Sequence, residues 1–97
     1  MAVEKHARTV VVTNPQGLHA RPADLWVKTA VQYQASIDVI KDGERVNGKS
    51  ILDLLMLAAT EGTQLRIEAD GPDAAAALDA LEELVRRDFG ENGTAAG

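Results

Sequence analysis

The sequence has no cysteine. That absence excludes a disulfide scaffold and a thiolate metal site, and it fits a reducing compartment. Aromatic residues are scarce, with one Trp, one Tyr and one Phe in 97 positions. So few rings cannot build a base-stacking platform for nucleic acid, and the core has to be aliphatic. No apolar run reaches the roughly 18–20 residues of a membrane span. The opening segment MAVEKHARTVVV carries charges but no apolar stretch before a cleavage site, so no secretory leader is read there. Positive charge is in deficit as well. The formal net charge is −5, which argues against a nucleic-acid footprint. These absences point to a cytoplasmic protein with no direct membrane insertion.

What is present is an aliphatic chain, 45% apolar, long enough for one domain and one core. A strand is predicted from Arg8 to Thr13, where β-branched residues cluster. Asn14-Pro15-Gln16-Gly17 marks a turn. A helix follows, with Pro22 in its first turn and Ala23, Trp26, Val27, Ala30 and Val31 as its buried face. Ser36 to Lys41 alternates as a strand, Asp42-Gly43 signals a hairpin turn, and Glu44 to Asn47 returns. Ser50 precedes a short helix from Ile51 to about Leu57, with Asp53 at the capping-box position. Leu65, Ile67 and Ala69 alternate with charged residues as a fourth strand. Ala74, Ala77, Leu78, Leu81, Leu84 and Val85 form the stripe of a last helix that Gly90 is expected to stop. The order is β-α-β-β-α-β-α. It predicts an open-faced two-layer α/β (α+β) sandwich, with a four-stranded antiparallel sheet and three helices on one face. The domain is expected to span residues 1–90, with 91–97 as a disordered tail.

The chemistry concentrates in Gly17-Leu18-His19-Ala20-Arg21-Pro22-Ala23. His19 falls just before a helix, where backbone N–H groups lack partners and the dipole adds positive character. Such a place binds phosphate. Arg21 can meet phosphoryl oxygens with paired donors. The plain structural alternative is an N-capping histidine beside a solvated arginine. His6 and His19 lack metal-ligand spacing, so no metal is expected, and no nucleotide loop or nucleophile triad calls for a cofactor.

This segment resembles the active-site segment of the HPr family, the phosphocarriers of the bacterial phosphoenolpyruvate:sugar phosphotransferase system. The resemblance runs from about Thr9 to Phe89 and includes Asn47-Gly48-Lys49-Ser50-Ile51 and Glu61-Gly62-Thr63. It implies that His19 is phosphorylated, through Nδ1, and that Arg21 stabilises the phosphate. It implies that Ser50 matches a serine modified in many relatives by a dedicated kinase, and that the sandwich is the family's fold. Enzyme I would be the donor, and sugar-specific or regulatory proteins the acceptors, with a serine kinase/phosphorylase as a further partner. The chain would act as a monomer. The departures are Gln16, Trp26, and Ala58 where many relatives carry Gly.

Ser50 is first a helix cap, and regulation there is an added expectation. The run Ile51 to Leu57 has too many apolar residues for one helix face. Ile51, Leu52 and Leu55 are therefore expected to form an exposed docking patch, against the alternative of a helix buried on two sides. Lys28 and Lys49 could join Arg21 in a basic rim for an acidic partner, or be ordinary solvated lysines. The competing functions are a regulatory binding module that signals through Ser50 phosphorylation and the apolar helix, and a ligand-binding sandwich without phosphotransfer.

Overall fold

The computed structural model describes residues 5–90. The expected tail, 91–97, lies outside the described residues. Along the chain run β1 (Lys5–Val11), α1 (Ala20–Ala30), β2 (Ser36–Lys41), β3 (Glu44–Asn47), α2 (Ile51–Met56), β4 (Gln64–Asp70) and α3 (Ala74–Arg86). A single 3-10 turn, Asp88–Gly90, follows. The four strands form one antiparallel sheet in the order β1-β4-β2-β3. This is the open-faced sandwich expected from the apolar pattern.

Strand register explains the layering. Val10 pairs with Leu65, while Ile67 and Ala69 pair with Val39 and Ile37. These buried side chains share one face and meet Ala23, Trp26, Ala30, Leu54, Leu78 and Leu81 from the helices. The alternate positions make an open face of charges. There Arg45 and Arg66 bond the Glu68 carboxylate at 2.8 and 2.9 Å. Those two hydrogen bonds, Arg45's foremost, hold the Glu68 carboxyl down at about 2. Exposed pairs of this kind add little stability each; the aliphatic face carries the fold.

Local chemistry sets the turns. Asp42 and Gly43 both have positive φ, +50° and +85°, the type I′ geometry that suits a two-residue hairpin. Asp73, just before α3, accepts the Gln34 and Ala35 N–H groups at 2.8 Å each and so ties the α1–β2 loop to α3. Those bonds, Gln34's first, lower its carboxyl below the usual range.

Three details depart from the sequence reading. β1 runs Lys5–Val11 rather than Arg8 to Thr13, because pairing with β4 continues down to Asp70 past the apolar residues and stops at Val11 opposite Gln64. Val31 is exposed rather than part of the buried face. It closes α1 through its N–H bond to the Val27 carbonyl, and the chain then turns away toward β2. α3 ends at Arg86 instead of running to Gly90, since Asp88 and Phe89 take left-handed backbone at φ +52° and +55°.

Candidate functional site

The segment between β1 and α1 is held by its own backbone and by the segment leading into β4. The Val12 N–H donates to the Thr63 carbonyl at 2.9 Å, and the Gly62 N–H donates back to Val12 at 2.7 Å. Asn14 is fully buried, and its amide Nδ2 donates to the Gly17 carbonyl at 2.8 Å. Gly17 has φ +68°, and a Cβ there would lie 2.2 Å from the Ala59 carbonyl oxygen. Only glycine allows this approach. It places the Leu18 N–H 2.8 Å from that same oxygen and sinks the Leu18 side chain into the core.

His19 follows directly and is half-buried. Its backbone is extended (φ −85°, ψ −169°) and stands at the N-cap of α1, but its ring does not cap the helix. The His19 carbonyl accepts the first helical hydrogen bond, from the Ala23 N–H at 3.0 Å. The N–H groups of Ala20 and Arg21 therefore have no acceptor inside the helix, and Pro22 has none to offer. The first turn contains no acidic residue. Arg21 is exposed and has no ion-pair partner among the described residues. The helix-start amides and the positive end of an eleven-residue helix thus lie next to His19, with Arg21 two positions on. An anion bound there would meet donors on several sides, with no carboxylate in the helix's first turn.

The second cluster surrounds α2. Ser50 caps it by accepting the Asp53 N–H at 3.2 Å. The Asp53 carboxylate does not return to the Ser50 N–H, as a capping box would have it. It accepts the Asn47 N–H at 3.2 Å instead. Leu54 and Leu57 are buried, whereas Ile51, Leu52 and Leu55 are exposed, Leu52 to 65%. Met56 is exposed to 70% and belongs to the same patch. The sequence reading missed it, although its place four residues after Leu52 puts both on one side of the helix. The two lysines named for a basic rim are engaged locally. Lys28 pairs with Asp24 at 2.9 Å, and Lys49 donates to the Tyr33 carbonyl at 2.7 Å. Arg21, exposed two positions after His19, has no ion-pair partner among the described residues.

Among the described residues no group of three His, Cys, Asp or Glu side chains is placed to hold a metal. Among them no helix is long and apolar enough to cross a membrane.

Comparison with known proteins settles the family. Residues 6–87 match PTS-HPr, the PTS HPr component phosphorylation site. The chain belongs to the HPr family. The phosphocarrier protein HPr of Neisseria meningitidis serogroup A is 44% identical over 84 residues, which cover 87% of this chain and 94% of that one. The crystal structure of HPr-C-His from Thermoanaerobacter tengcongensis superposes with a TM-score of 0.87 at 39% identity, covering 91% of this chain and 99% of that chain. A multiphosphoryl transfer protein of Vibrio cholerae is 38% identical over 89 residues, covering 89% of this chain but 22% of that longer protein. This HPr family member is thus a phosphocarrier of the phosphotransferase system, with the family's four-stranded sheet and three helices.

Proposed function

We propose that His19 accepts a phosphoryl group from phosphorylated enzyme I and passes it to an acceptor protein. The observation that carries this reading is the place of His19 at the start of α1. His19 stands at the N-cap with no side-chain cap bond, followed by helix-start amides and by an exposed Arg21 that has no ion-pair partner among the described residues. In the transfer, a lone pair on a His19 ring nitrogen (Nδ1 by family resemblance) forms the new N–P bond while the donor's bond to phosphorus breaks. The Ala20 and Arg21 N–H groups and the Arg21 guanidinium balance the charge on the phosphoryl oxygens. The first turn of α1 carries no acidic residue. The partner supplies the remaining catalytic groups, and transfer requires only in-line approach.

Docking falls to the exposed patch of Ile51, Leu52, Leu55 and Met56 on α2, which packs against α1. Ser50 sits at the edge of that patch. Phosphorylation by a serine kinase would add about −1.5 to −2 charges at pH 7, and at a helix N-terminus such a charge is tolerated. It would act by repelling an acidic partner from the patch while leaving α2 folded. Lys49 beside it and Lys28 on α1 add positive charge at the rim, although each is already engaged. The functional unit is the domain of residues 1–90, working in the cytoplasm as a monomer. Sugar-specific or regulatory proteins are the acceptors. The Vibrio cholerae relative, a multiphosphoryl transfer protein, supports the view that such a domain works in series with other transfer modules.

The alternative is a regulatory module that signals only through Ser50 and the apolar helix. Incubation with phosphoenolpyruvate and enzyme I, followed by intact-mass measurement, separates the two. The carrier gains one phosphoryl group in an enzyme I-dependent way. A mass that stays unchanged favours the regulatory module.

A further inference from the structure

The short turn after α3 touches the chain on both sides of the His19 segment. On one side is Thr13, six positions before His19, whose hydroxyl donates to the Asp88 carboxylate. On the other is Trp26, seven positions after His19 and so two helical turns along the same side of α1. Phe89 is buried against it, with ring centroids 6.5 Å apart and the planes tilted by 37°. The buried Trp26 indole N–H has no hydrogen-bond partner among the described residues, so packing alone sets that ring's position. Asp88 and Phe89 both hold left-handed backbone, at φ +52° and +55°. Asp tolerates that region, but a bulky Phe rarely enters it. The turn keeps this conformation while it makes both contacts at once.

We propose that the Asp88–Gly90 turn is a positioning clamp that sets how the loop and α1 meet at His19, with Asp88 and Thr13 as its positioning pair. This rests on the reading that His19 is the phosphoryl acceptor. The clamp joins the loop before the acceptor to α1 after it, and neither of its two contacts involves Ile51, Leu52, Leu55 or Met56. Its loss should therefore alter the rate of transfer within the docked complex and leave docking itself in place.

Three variants test it: Asp88→Gly, Asp88→Asn and Thr13→Val. Glycine suits the left-handed backbone and removes the bond to Thr13. Asparagine keeps both the backbone tolerance and the acceptor oxygen. With phosphorylated enzyme I as donor, Asp88→Gly and Thr13→Val should each lower kcat at least about fivefold, as misplacement of a reacting group does. KM should stay within about twofold, because the apolar docking patch is untouched. The thermal midpoint of Asp88→Gly should not fall. Asp88→Asn should transfer at the wild-type rate, and the double variant Thr13→Val/Asp88→Gly should lose no more than either alone. A wild-type kcat for Asp88→Gly, an equal loss in Asp88→Asn, or a change confined to KM would overturn the clamp. The premise is read separately. A wild-type chain that takes no phosphoryl group on His19 removes the acceptor reading, and the clamp is then judged by NMR of the unphosphorylated chain. There Asp88→Gly should broaden the His19 ring signals and Asp88→Asn should not; unchanged signals in both would refute it.

Discussion

Gly17→Ala is the sharpest structural test of how the site is held. Two separate effects act at this position. The backbone sits at φ +68°, where a side chain costs about 1–2 kcal/mol. The added methyl also cannot coexist with the Ala59 carbonyl oxygen, 2.2 Å from the ideal Cβ, or with the Thr60 Cα at 2.9 Å. Both are backbone atoms, so the two segments must part, and the 2.8 Å bond from the Leu18 N–H to Ala59 goes with them. A lost hydrogen bond of this kind is worth about 0.5–1.5 kcal/mol. Alanine returns about 0.4–1 kcal/mol by stiffening the unfolded chain. The net expectation is a loss of about 0.5–3 kcal/mol, or roughly 2–25 °C in thermal midpoint for a domain of this size. Gly62→Ala is the control. Its φ is +89° but nothing lies within 4 Å of an added Cβ, so it carries the conformational effect without the collision. Urea unfolding of both variants, with the rate of His19 phosphorylation measured alongside, isolates the contact. If Gly17→Ala is no more destabilising than Gly62→Ala and is phosphorylated at the wild-type rate, the packing of residues 17–18 on 59–60 does not shape the site.

Arg21→Ala should leave the thermal midpoint unchanged, because Arg21 is exposed, and slow transfer at least tenfold, about 1.4 kcal/mol; an unaltered rate constant in the folded variant would remove Arg21 from the site. Leu52→Glu, at a position 65% exposed, should shift stability by no more than about 0.5 kcal/mol while raising KM for enzyme I several-fold. A collapse in stability would show that Leu52 is core. Ser50→Asp keeps a good N-cap residue, so circular dichroism should be unchanged while KM rises; an unchanged KM, or loss of helical signal, would contradict the electrostatic account of Ser50.

Much of this arrangement is legible in sequence because it is local. The segment from Gly17 to Ala23 carries the proposed acceptor, the arginine and the helix start in seven consecutive positions. The sheet follows from alternation at Ile37, Val39, Leu65 and Ile67, and the hairpin from Asp42-Gly43. What escaped is non-local or runs against propensity. The Ala59 carbonyl that fits Gly17 lies far along the chain, and it is a backbone group that no side-chain identity marks. Thr13 and Asp88 are 75 positions apart. Asp88 and Phe89 adopt backbone that neither identity announces, and so α3 was read as running on to Gly90. Ala58, where the family resemblance implies Gly in many relatives, is the converse case. Its φ of +54° is left-handed backbone without the residue that signals it.

The central claim is tested most directly by locating the phosphoryl group. After reaction with phosphoenolpyruvate and enzyme I, the phosphorylated chain should be stable in alkali and labile in acid, as a phosphoramidate is. Peptide mapping should place the group on His19, and His19→Ala should fold normally and take up none. An acid-stable phosphate on another residue, with His19→Ala labelled as well as the wild type, would contradict the account.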